Sequence, residues 1–172
     1  MQPPARNALA QARHSAVHLE MRDSYMLDDP GFIAWQNGRR LDPTDRESWW
    51  NGWHDAVRDA VDRGVQVRRA RIVSEPLSDY IRYELDLTFT NIAAGEQVRW
   101  LPRRRTTDLA LPGTDFWVFD AELVLLHHFT GDGQLDEDGR EYTDTPEQVK
   151  LCTEAFEAVW RRAIPHQGYQ PC

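Results

Sequence analysis

A chain of 172 residues, 41% apolar and 28% charged with 7 Trp, 5 Tyr and 6 Phe, can bury a substantial core, which excludes a disordered chain or a small disulfide-stapled scaffold. A formal net charge of −8 repels nucleic acid and anionic membranes, so direct nucleic-acid binding is not expected. Lys150 is the sole Lys among 20 basic residues, a skew that reflects genome composition rather than phosphate recognition.

In chain order, PPARN reads as a frayed opening, and residues 8–22 as a short helix with Leu9, Ala12, Ala16 and Leu19 at helical spacing. DDPG is a turn, and GFIAWQNG one or two helical turns. Residues 45–63 read as a helix, with Thr44 and Glu47 at capping-box spacing. Trp49, Trp50, Trp53, Val57, Ala60 and Val61 mark one face of it, and Gly64 stops it. Those Trp residues read as core anchors rather than a base-stacking platform. VQVRRARIV, residues 65–73, is a strand whose alternation slips at Arg68 and Arg69, and Pro76 closes it.

Residues 78–94 carry two competing periods. Ile81, Leu85, Phe89 and Ile92 fit a helix capped by Gly95, whereas LDLTF alternates as a strand would; helix is preferred. VRWLP, DFWVFD and ELVLLHHF read as three strands, the last two forming a hairpin around Ala121. The acidic segment 131–144 reads as a surface loop. Thr145, Pro146 and Gln148 then open a helix bearing Val149, Cys152, Phe156, Val159 and Trp160, which Pro165 ends. The chain is therefore expected to be one domain over 1–172, a mainly helical portion at 1–63 and an α/β core at 64–172. The N-terminus lacks an apolar signal region and no run approaches the ~20 apolar residues of a membrane span, so a cytoplasmic location is expected.

Familiar chemistries lose their usual residues. No Gly-x-Ser-x-Gly, phosphate-binding loop or dinucleotide fingerprint occurs, and no cofactor is expected. His14 and His18 would share one face of the 8–22 helix, but no third ligand supports a metal. His127 and His128, adjacent on a strand, point to opposite faces and cannot chelate one ion. With Gly139 at the invariant glycine of a calcium loop, Gln134 and Thr145 fall where carboxylate ligands are needed. Two cysteines, Cys152 and Cys172, show no metal spacing. The candidate ligand site is an anion-binding one made of Arg68, Arg71, Tyr80, Arg82, Arg99, Arg103, Arg104, Asp115 and Asp120, serving a binder or an enzyme with Asp115 or Asp120 as acid or base, although a solvated, ion-paired surface is the preferred account of the arginine run.

The order strand, helix, strand, hairpin, helix around DFWVFDAELVLL resembles one half of the phospholipase D fold. That resemblance implies a His, a Lys two residues later and an Asp at the hairpin turn, the His attacking phosphorus and the Lys balancing oxygen charge. Aligned by the hairpin, Asp120 stands at the turn position, Asp115 at the Lys position and Gly113 at the His position. No His-x-Lys exists in the chain, so the resemblance implies a degenerate, non-catalytic copy with no catalytic residues. Further blocks, HLEMRDSY, RRARIVSEPLSDYIRYE, AGEQVRWLPRR, LPGTDFWVFD and AFEAVWRRAIPH, resemble an uncharacterised family of small actinobacterial proteins with a domain of unknown function. Membership implies, by association, a regulatory or interaction role beside a helix-turn-helix transcriptional regulator, and the fold implies a possible homodimer.

Overall fold

A computed structural model describes residues 4–172. Pro3 of the PPARN opening lies outside the described residues, while Ala5, Arg6 and Asn7 are already helical. A seven-stranded mixed sheet, in the order β6-β5-β4-β1-β2-β3-β7, forms the centre. β1 (Ser15–Glu20), β2 (Gln66–Val73) and β3 (Gln97–Pro102) run parallel, whereas β4 (Asp115–Phe119), β5 (Leu123–Phe129) and β6 (Leu135–Thr143) continue the sheet antiparallel. The short β7 (Ile164–Pro165) edges β3.

The helices are α1 (Ala5–Gln11), α2 (Pro30–Gln36), α3 (Gly52–Asp62), α4 (Asp79–Ala94) and α5 (Pro146–Arg162). α5 covers one face of the sheet. Its Cys152, Ala155, Phe156, Val159 and Trp160 pack on Val17, Leu19, Ala70, Ile72, Phe116 and Val118. The other face meets α1 and α3 through Ala16, Val67, Trp117, Phe119 and Leu125, and α4 through Val73, Val98 and Trp100. No helix among the described residues is long and apolar enough to cross a membrane.

Several expected elements change. The 8–22 helix is instead α1 followed by strand β1, which lies between β4 and β2 in the middle of the sheet. The N-terminal third therefore supplies a central strand of the core rather than a helical addition to it. The Leu9, Ala12, Ala16 and Leu19 spacing fits a helix only because Ala16 and Leu19 face opposite layers of a strand buried on both sides.

The 45–63 helix is divided into a 3-10 turn at Arg46–Ser48 and α3. Thr44 does not cap it. The Asn51 side chain accepts from the Trp53 amide at 2.9 Å, and His54 Nδ1 accepts from the Asn51 amide at 3.1 Å, a reciprocal cap of the α3 terminus. The three Trp residues do pack: Trp49 is buried against Phe89, and Trp53 meets the edge of Trp117. The acidic segment 131–144 holds strand β6, whose Asp136, Glu137 and Asp138 face solvent at the sheet edge. The 78–94 competition resolves as helix: Ser78 accepts from the Ile81 amide, and Gly95 caps the far end with a left-handed φ of 104°.

Candidate functional site

Strand alternation places His18 and Glu20 of β1, Arg69 and Arg71 of β2 and Asp115 of β4 on the face away from α5. Register aligns them across strands: His18 lies opposite Arg69 and Trp117, Glu20 opposite Arg71, and Asp115 opposite His127 of β5. Both arginines are buried, which costs several kcal/mol per ion unless each is well paired.

They are. Glu20 accepts from both guanidiniums; Arg69 also donates to Glu96 at 2.8 Å, and Arg71 to Glu84 and, at 2.9 Å, to Thr88. Asn91 donates to the second oxygen of Glu96 at 2.7 Å. Burial opposes ionisation of Glu20, but Arg71 and Arg69 overcome it and hold its carboxyl well below the usual range.

Beside this network lies a cavity of about 220 Å³, whose wall includes His18, Glu20, Tyr25, Tyr80, Glu84, Asp115, His127 and Phe129. Asp115 is 2% exposed and accepts from the Met21 amide at 2.8 Å and from the Tyr25 hydroxyl. Burial pushes its carboxyl up to about 6, against the pull of the Tyr25 hydrogen bond. Burial, with Glu20 and Asp115 nearby, raises the Tyr25 phenol well above its usual range, so it remains a donor.

His18 is 7% exposed and stacks on Trp117 at 4.3 Å between ring centroids. Its Nδ1 lies 3.4 Å from Glu20 Oε1 without hydrogen-bond geometry, and neither ring nitrogen has a hydrogen-bond partner among the described residues. Burial and Arg69 keep its imidazole far below the usual range and therefore neutral. Burial and Arg140 likewise hold His127 down at about 4.

The nine residues expected at an anion site divide among several places. Arg71, Tyr80 and Asp115 meet around the network and cavity. Arg68 points to the other face, donating to Glu157 at 2.7 Å and lying over Phe156 and Trp160. Arg99, on that face too, donates to the Trp160 carbonyl at 3.0 Å and covers its ring. Arg82 is exposed on α4 beside Asp79, and Arg104 is exposed in the turn after β3. Arg103 ties Ser74, Asp23 and the Met21 carbonyl together at the ends of β1 and β2.

Asp120 occupies the β4–β5 turn at φ 53°, where its carboxylate accepts from the amides of Arg13, His14 and Ser15 at 2.7–2.9 Å. It anchors the start of β1. The anion site thus fails as a convergent pocket because β2 alternation sends Arg68 and Arg71 to opposite faces. Sequence reasoning missed Glu20, Tyr25, Glu84 and Glu96 as members of one constellation. The available signal was Arg69 and Arg71 at i, i+2 on a buried strand, which demands matching carboxylates.

His14 and His18 do not share a helical face: His14 precedes β1, and His18 is inside it. Among the described residues, no group of three or more His, Cys, Asp or Glu could hold a metal ion. His128 faces outward to Glu141 while His127 turns inward, as strand geometry requires.

The family model for a domain of unknown function, DUF6879, matches residues 4–171. The chain belongs to this family. No curated protein matches it. Among solved structures, the chain is similar to Nuc of Salmonella typhimurium, a phospholipase D family member, at 14% identity and a TM-score of 0.50 over 93% of this chain and 86% of that one. It is similar to NucT of Helicobacter pylori at 12% identity and a TM-score of 0.49 over 93% and 87% of the two chains. TrmBL2, an archaeal chromatin protein, follows at 18% identity and a TM-score of 0.48, covering 92% of this chain. The chain spans 48% of that protein's length.

The likeness to Nuc establishes a phospholipase D-like fold. Asp115 opens β4 on the polar face, Gly113 precedes it, and Asp120 occupies the turn. Lys150, the chain's one lysine, is on α5 across the sheet, its exposed ammonium 4.0 Å from Glu154.

Proposed function

We propose that this chain is a non-catalytic member of the phospholipase D-like fold that works as a binding module in sensing or regulation. The observation that carries this reading is Asp115, a buried carboxylate at the position where phosphoryl transfer in this fold needs an ammonium. A phosphate brought there would meet Asp115, Glu20 and Glu84 on the cavity wall, and the nearby cations Arg69 and Arg71 are already spent on carboxylates. His18, a buried imidazole on the cavity wall, stacks on Trp117, and Arg69 and Arg71 beside it are held by Glu20. In the regulatory reading the partner is a transcriptional regulator from the same cell, and the chain pairs with a second copy of itself.

Purified chain incubated with bis(p-nitrophenyl) phosphate and with single-stranded DNA is expected to give no hydrolysis above buffer. Turnover that survives further purification overturns the non-catalytic reading. Affinity purification from the native cell is expected to recover a transcriptional regulator, and sedimentation a dimer; a monomer without such a partner removes the regulatory part.

A further inference from the structure

We infer that the cavity between β1, β4, β5 and α4 binds a small organic cation of the ammonium, amidinium or guanidinium class. This deepens the reading of the chain as a binding module and rests on it. The wall carries three carboxylates, Glu20, Glu84 and Asp115; Arg69 and Arg71 pair with the first two, whereas Asp115 accepts only from the Met21 amide and the Tyr25 hydroxyl and has no ion pair among the described residues. Its volume of about 220 Å³ equals roughly seven waters at ~30 Å³ each, the scale of a compact ligand.

Three aromatic rings, Tyr25, Tyr80 and Phe129, also line it. Ring faces attract cations, and ring faces with carboxylates select a cation over a neutral molecule of equal shape. Phe129 already takes a guanidinium on its face, since Arg22 lies 4.8 Å from its centroid.

His18 provides an independent observation. Its ring lines this cavity, both of its nitrogens are buried without a hydrogen-bond partner among the described residues, and a neutral imidazole offers one acceptor and one donor. An N–H of the ligand satisfies the acceptor while its remaining N–H groups reach Asp115 and Glu20. His127 is neutral as well and does not compete as a charge. An anion would meet the carboxylates Glu20, Glu84 and Asp115 on the same wall.

The titratable groups around Asp115 are His18 and Glu20 on β1, Arg22 and Tyr25 in the segment after it, Tyr80 and Glu84 on α4, and His127 on β5. Only Arg22 among them is cationic and, half-buried, it leaves the carboxyl near 6. A bound cation favours the ionised carboxyl, so affinity rises as pH increases through about 6.

The test is calorimetric titration of the whole chain with methylguanidinium, benzamidinium and butylammonium chlorides, beside benzamide and inorganic phosphate. The expected result is saturable one-to-one binding of at least one cation, with benzamide at least about tenfold weaker than benzamidinium and phosphate silent. Asp115→Asn is expected to weaken the cation about tenfold or more, and Phe129→Leu less. In imidazole NMR the His18 signal moves with saturation.

Binding of phosphate, benzamide as tight as benzamidinium, no saturable cation, or a His18 signal that stays fixed overturns the inference. Should Asp115→Asn not fold, the benzamidinium and benzamide comparison on the unaltered chain still decides. Hydrolysis of phosphodiesters would overturn the binding-module reading itself, whereas failure of the cations alone leaves that reading in place.

Discussion

The two faces of the central sheet are built from the same strand residues taken alternately, yet they do different things. Toward α5, Val17, Leu19, Ala70, Ile72, Phe116 and Val118 meet an apolar helix side and leave a dense core. On the opposite face, His18, Arg69, Arg71 and Asp115 are buried as well but polar, with Glu20 half-buried among them. An apolar face gains stability in proportion to the area removed from water. A buried ionic face breaks close to even, because desolvation cancels much of the pairing, and what it supplies is definite geometry around a cavity. The first face thus carries an apolar core, while the second sets the site between apolar packings on α1, α3 and α4.

The comparison is tested most severely by Phe156→Ala. Phe156 of α5 is fully buried against the sheet, and its truncation is expected to cost about 3–5 kcal/mol in urea unfolding without changing cation affinity in the surviving folded fraction. Affinity that falls in step with stability would mean the faces are not separable.

Glu20→Gln comes next. It removes the carboxylate shared by Arg69 and Arg71, so a loss near the low end of about 3–5 kcal/mol is expected, because Glu96 and Glu84 still hold one side of each guanidinium. A change within experimental error would show that Glu20 is dispensable to the network.

The smallest effect is in pH dependence. Asp115 holds its proton up to about 6 in the folded chain, so its contribution to stability is present at low pH and lost as pH rises through that value. His127, held at about 4, runs the other way: its contribution is present above the ordinary imidazole range and lost as pH falls toward 4. The two slopes oppose one another across the same strand pair. Asp115→Asn removes one of them, so its melting temperature should fall more steeply than that of the unaltered chain as pH drops from neutrality toward about 5. Parallel curves would show that Asp115 does not take up a proton there.

Legibility in the sequence followed how local each signal was. α4, α5, β2 and the β4–β5 hairpin declare themselves through periodicity, caps and turn residues lying within a few positions of one another. β1 escaped because both its faces are buried: Ala16, His18 and Glu20 look one way and Val17 and Leu19 the other, which leaves no apolar and polar alternation to read. β6 escaped because Asp136, Glu137 and Asp138 make an edge strand look like a solvated loop. At the site, Arg71, Tyr80 and Asp115 were found as residues, but Arg68 and Arg99 were grouped with them by sequence proximity although strand geometry places them against α5.

By itself the sequence shows that it holds no His-x-Lys, which needs no coordinates, and it carries the fold class, since the hairpin and its flanking helices are coded by neighbouring residues. Which arginines are neutralised, and that Glu20, Tyr25, Glu84, Asp115 and His127 surround one cavity, was decided only by tertiary structure. These groups lie up to about a hundred positions apart, and the register of β1 between β2 and β4 is what brings their side chains onto one face.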